Sequence, residues 1–216
     1  MRYAAAQRSG RPRGAGLILA DTEDFARFTE VAPVAPHFGD IVIGTPGAVE
    51  NTAAALAAGA TAIGNLGQYF TFRLPQCDDD VATTAATVTA MALVAAQPVA
   101  VLIYSNLDDG FAALFTDLSC ALGAVLIEKY IVEELIGGEI SHCYGHTYSD
   151  PTARLALLFA LSTVASTPGT MVYGNTTSYG LGSTANYASL ASYLLVDVFA
   201  QTAFVKFLVH RVDGPV

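Results

Sequence analysis

Short apolar runs rich in Val, Ile and Leu recur along the chain, at residues 16–20, 41–44, 61–64, 99–104, 140–144 and 171–174. None alternates apolar with polar positions. That pattern marks strands buried on both faces, as in parallel sheets covered by helices. Between the runs lie stretches that read as helix, residues 47–58, 80–96, 111–136 and 151–164, and Gly59 stands where a C-terminal cap glycine is expected. A βα alternation of this kind leaves a doubly wound open sheet or a (β/α) barrel.

The residues that follow the runs separate these two options. Asp21, Thr45, Asn65 with Gln68 and Tyr69, Asn106 with Asp108 and Asp109, His146, and Asn175 with Thr176 and Thr177 each follow a predicted strand. An open sheet concentrates its ligand chemistry at one switch point, commonly beside a glycine-rich phosphate turn. Gly44-Thr45-Pro46-Gly47 is not such a turn, and the polar groups are spread over nearly every unit. A TIM-type (β/α) barrel is therefore the expected fold, with residues 15–216 as its domain and residues 1–14 as a basic tail carrying Arg2, Arg8, Arg11 and Arg13. A complete barrel typically needs ~250 residues. With six units in 216 residues, the expectation is a barrel truncated at one or both ends, or one completed by a partner.

Composition narrows the partners. The mean hydropathy of +0.46 and 53% hydrophobic residues fit buried strands and Ala-rich helices, because no apolar run reaches the ~20 residues of a membrane span. The net charge is −9, and only Arg73, Lys129 and Arg154 are basic between Thr29 and Val205. A nucleic-acid surface needs clustered Lys and Arg, so the partners expected are small molecules or other proteins. Cys77, Cys120 and Cys143 are odd in number and widely spaced. They form neither a disulfide framework nor a zinc ribbon, which makes a reducing cytoplasm the default compartment.

Four segments carry candidate chemistry. In Gly64-Asn65-Leu66-Gly67-Gln68-Tyr69-Phe70-Thr71-Phe72-Arg73, glycines and an amide let the backbone approach a ligand, while Tyr69 and Arg73 could wall and anchor an anionic substrate. Asp108 and Asp109, after the longest strand, could share acid–base work or cap a helix. In His142-Cys143-Tyr144-Gly145-His146, alternation sets His142 and Tyr144 on one side, and Gly145 presents His146 as a catalytic or cofactor-contacting base. Zinc on His142, Cys143 and His146 is disfavoured because strand neighbours point oppositely, so no metal is assigned. Asn175 and Thr176 offer donors to a phosphate, a carboxylate or a cofactor amide. The Asp78-Asp79-Asp80 cluster is read as helix capping, and His37 and His210 as ordinary loop and helix residues.

Taken in order, Gly44-Thr45-Pro46, then Ala58-Gly59-Ala60 leading into the loop 64–75, and later Tyr144-Gly145, resemble the barrel subunit of the glutamate mutase (methylaspartate mutase) family. The resemblance implies an adenosylcobalamin-dependent, radical carbon-skeleton isomerase acting on a small carboxylate-bearing substrate. It also implies a small partner subunit with a cobalt-ligating Asp-x-His-x-x-Gly motif, which this chain lacks. The family's Arg-His pair before Gly-Thr-Pro is Val42-Ile43 here, and its acidic residue at the glycine-rich loop is Asn65. Substrate identity is therefore not carried over. The expected site comprises His146, Asp109 and Asn65 as catalytic residues, Gln68, Tyr69, Arg73, Asn106 and Tyr144 around the substrate, and Thr45, Gly67, Asn175 and Thr176 toward the cofactor. The rival expectations are an acid–base or metal-assisted lyase or aldolase on a similar barrel, and a non-catalytic fragment or accessory subunit.

Overall fold

The computed structural model describes residues 22–31, 37–38, 42–71, 78–106, 117–144, 171–173 and 207–209, with scattered positions between 156 and 195. The protein is a mixed α/β chain with parallel strands. Its contacts divide it into two compact units, Met1–Ser105 with Tyr130–Ile140, and Asn106–Lys129 with Ser141–Val216.

In the first unit β1 (His37–Phe38), β2 (Ala62–Gly64) and β3 (Leu102–Asn106, up to Ser105) pair in parallel and in chain order. The register sets Phe38 beside Ile63 and Ile63 beside Ile103, so these three apolar side chains share one face. They enter a core with Phe25 from α1 (Thr22–Val31), Ala54 and Ala55 from α2 (Ala48–Ala57), and Ala90, Met91 and Val94 from α4 (Asp80–Ala95). Phe25 and Phe38 stack obliquely at 4.9 Å. Small alanines on α2 and α4 let these two helices lie close together. Thr29 on α1 donates to the carbonyl of Ala58 at 2.8 Å, which satisfies one of the acceptors that the end of α2 leaves open.

Local chemistry explains the helix boundaries. The Asp79 carboxylate accepts the Ala82 N–H at 2.9 Å and caps α4, as the reading of the acidic cluster expects. Inside α4, Thr84, Thr87 and Thr89 each donate to the carbonyl four residues earlier, so their hydroxyls are satisfied without breaking the helix. Gln97 closes it by donating from its side chain to the Leu93 carbonyl, just ahead of Pro98. Gly59, at φ +80°, ends α2 as expected.

In the second unit, β4 (Glu139–Tyr144, from Ser141 on), β5 (Met171–Tyr173) and β6 (Phe207–Val209) are also parallel and in chain order. Here α5 (Leu118–Lys129) is capped by Asp117, whose carboxylate accepts the Ser119 hydroxyl and the N–H groups of Ser119 and Cys120. These bonds, the Ser119 hydroxyl foremost, hold the Asp117 carboxyl below its ordinary range. The sequence then winds through a π-helical stretch, Tyr130–Ile136.

Three expectations need correction. Residues 42–44 do not form the expected strand, and Ile41 lies outside the described residues. The Val42 and Ile43 N–H groups both reach the single carbonyl of Gly64, at 2.9 Å each, and Gly44 at φ +86° turns the chain away, so no ladder propagates. The strand of this region is β1, which puts His37 on a strand and not in a loop. The third concerns the setting of His210, read as a helix residue: residues 207–209 just before it form β6, and His210 itself lies outside the described residues. The expected strand at residues 16–20 lies outside the described residues. So do residues 111–116, at the start of the expected helix 111–136, and α5 begins at Leu118.

Candidate functional site at the carboxyl ends of the first three strands

The ends of β2 and β3 gather buried polar groups. Asn65 follows β2 and Ser105 continues β3, and both are fully buried. Gly64 pairs with Tyr104, and the Leu66 N–H donates to the Tyr104 carbonyl at 2.9 Å, which holds the Asn65 loop against β3 beyond the end of the ladder. Thr45 is buried as well, and the segment that carries it is pressed against the Asn65 loop. A Cβ added to Gly44 would lie 2.8 Å from the Tyr69 nitrogen and 3.1 Å from the Asn65 carbonyl oxygen. Only glycine allows that approach at a positive φ. The Thr45 hydroxyl has no hydrogen-bond partner among the described residues.

The Asn65 side chain organises the loop. Its Oδ1 accepts the Gly67 N–H at 3.0 Å and so starts α3 (Gly67–Thr71), whose Gly67 and Gln68 were expected near a ligand. Asn65 thereby holds the backbone of the candidate site. Tyr69 leans on Phe70 edge to face, and its hydroxyl shares a 2.6 Å hydrogen bond with Thr84 on α4. A ligand at this loop therefore meets the Tyr69 ring while its hydroxyl stays on α4.

The other face of these strands carries aromatic chemistry. His37, Ala62, Gly64, Leu102 and Tyr104 occupy rows that alternate with the core-facing Phe38, Ile63 and Ile103. The Tyr104 ring covers Gly64 so closely that a Cβ there would lie 2.0 Å from its Cδ1. His37 meets Tyr104 edge to face at 5.1 Å. Both ring nitrogens of His37 are closed to solvent and have no hydrogen-bond partner among the described residues, and burial lowers its pKa to about 4.

In the second unit His142 on β4 bonds Glu128 on α5, Nε2 to Oε2 at 3.0 Å, with both side chains 1–2% exposed. The sequence points to His142 but not to its partner. A signal was present, because Glu128 is the carboxylate that directly follows the apolar run from Ala121 to Ile127.

Of the expected site residues, Thr45, Asn65, Gly67 and Tyr69 come together at one edge of the first unit. Asn106 and Tyr144 close strands β3 and β4. Arg73, Asp108, Asp109, His146, Asn175 and Thr176 lie outside the described residues. The open depression along α4, lined by Val81, Thr84, Ala85 and Val88, contains no buried polar group, whereas the strand ends do. Among the described residues no three His, Cys, Asp or Glu side chains form a metal-binding group, and no helix is long and apolar enough to cross a membrane. Comparison with protein-family models, with curated proteins and with solved structures finds no match for this chain.

Proposed function

We propose that the chain is the barrel-forming subunit of an adenosylcobalamin-dependent carbon-skeleton mutase, binding a small carboxylate-bearing substrate at the carboxyl ends of its parallel strands. The observation that carries this reading is the gathering of buried polar groups at the carboxyl ends of β2 and β3, Asn65 and Ser105, with buried Thr45 on the segment pressed against the Asn65 loop. In parallel α/β folds, ligands bind at that edge. The chemical class comes from the motifs Gly44-Thr45-Pro46, Gly64 to Pro75 and Tyr144-Gly145, which this edge partly contains.

The described residues fit a cofactor supplied by a partner. The Thr45 hydroxyl, buried and unpartnered, suits an amide side chain of a large cofactor. The Asn65 side chain holds the loop that such a group would meet. When bound, adenosylcobalamin supplies the radical chemistry. The chain's own residues orient the substrate and exclude water from it, and Arg73 pairs with a substrate carboxylate.

Thr45→Val tests the role of the edge. Removing a buried hydroxyl that lacks a protein partner should raise stability by roughly 1 kcal/mol. The same change should weaken corrinoid retention in an assembly with a small Asp-x-His-x-x-Gly subunit. Arg73→Ala should weaken substrate binding by about ten- to a hundredfold in that assembly. Unchanged retention and unchanged binding would remove the edge from the site.

A further inference from the structure

We propose that His37 is a ligand contact for an uncharged small molecule, reached through a hydroxyl or a carboxamide group. The inference goes beyond the reading of the carboxyl edge, because His37 pairs with Ala62, and Ala62 with Leu102, in the first row of these short strands. The great majority of buried polar groups in proteins find partners. Several here do so visibly, His142 with Glu128 and Thr87 with the Thr83 carbonyl among them. His37, Thr45 and Thr52 are exceptions in the same unit, each with side-chain polar atoms closed to solvent and bonded to no group among the described residues.

The chemistry of the surroundings selects the ligand. His37 stands on the strand face opposite Phe38 and the apolar core, against the edge of Tyr104. Burial keeps the imidazole neutral at neutral pH, so one nitrogen donates a hydrogen bond and the other accepts one. Tyr104, the described side chain that His37 meets on this face, is uncharged. An ionised carboxylate against His37 would be desolvated without a counter-charge. A hydroxyl or a carboxamide both donates and accepts, and it satisfies either tautomer of the ring.

Three probes on one four-carbon frame separate the possibilities: succinamide, butane-1,4-diol and succinate. The full chain, labelled with ¹⁵N-histidine, is titrated with each at neutral pH while the ring nitrogens of His37 are followed by NMR. Saturable shifts of the His37 nitrogens with succinamide or with the diol, the ring staying neutral and succinate giving none, are expected. Which of the two acts identifies the carboxamide or the hydroxyl as the group recognised. His37→Gln, which keeps a donor and an acceptor, should retain the response read at the Gly64 and Tyr104 amides, and His37→Leu should abolish it. Binding of succinate with protonation of His37 would overturn the proposal, and so would no response to any probe, which would assign the nitrogens to bound water. The titration uses no cobalamin subunit, so its result separates from that of the mutase assignment.

Discussion

Glu128 and His142 show what one buried contact costs to break. Each is almost wholly withdrawn from water and bonded to the other, so truncating Glu128 takes the hydrogen-bond partner from the buried His142 ring. Glu128→Ala should destabilise the protein by roughly 3–5 kcal/mol in urea unfolding, while Glu128→Gln, which can still accept the hydrogen bond, should cost less. The double variant Glu128→Leu/His142→Leu should recover part of the loss, because no orphan remains. His37 gives a pH signature of opposite origin. Its folded pKa lies near 4 against 6.5 for the free side chain, so the unfolded chain binds the proton first as pH falls. The stability of the wild type relative to His37→Gln should be level above about pH 6.5. It should then decline by roughly 3 kcal/mol as the pH approaches 4. A difference that stays flat across that window would place the imidazole in contact with solvent. At this scale the sequence is legible for Asn65, which follows β2 as the pattern sets it, whereas Thr45 is buried beside that loop without following a strand. The sequence is not legible for the partner of His142, which depends on how α5 packs, nor for His37, whose role follows from a two-residue strand too short to leave a periodic trace.

At the scale of elements, helices were easier to read than strands because their signals are local. Asp79 before an uninterrupted run of helix-formers, and Gln97-Pro98 after it, bound α4 without reference to the rest of the fold. Asp79→Ala should lower stability by about 1 kcal/mol, and Asp78→Ala, which removes no cap, should be close to neutral in the same thermal or urea measurement. Equal losses from both would show that general charge at the helix start matters and the hydrogen bond does not. Strands fail where their boundaries are set by partners. The run at residues 41–44 has the apolar composition of a buried strand and is buried where described, yet both of its available N–H groups are drawn to one carbonyl at the end of β2. Burial was thus legible there and conformation was not. The same applies to β6, three residues long and defined by pairing with β5.

For the whole molecule, doubly apolar runs separated by helices carried the fold class, and parallel pairing in chain order within each unit agrees with that reading. Ring closure leaves no comparable mark, because it depends on which distant strands meet. The barrel therefore stands with the mutase assignment as one proposal. Its physical basis is a strand edge with buried polar groups, in a chain whose few basic residues and net charge of −9 suit small-molecule chemistry. The most direct measurement mixes the purified chain with its cognate small subunit bearing Asp-x-His-x-x-Gly and with adenosylcobalamin, and follows visible absorbance through gel filtration. The account predicts that both proteins and the corrinoid absorbance elute together, ahead of either protein alone. Corrinoid eluting with the small subunit while this chain runs separately would contradict it.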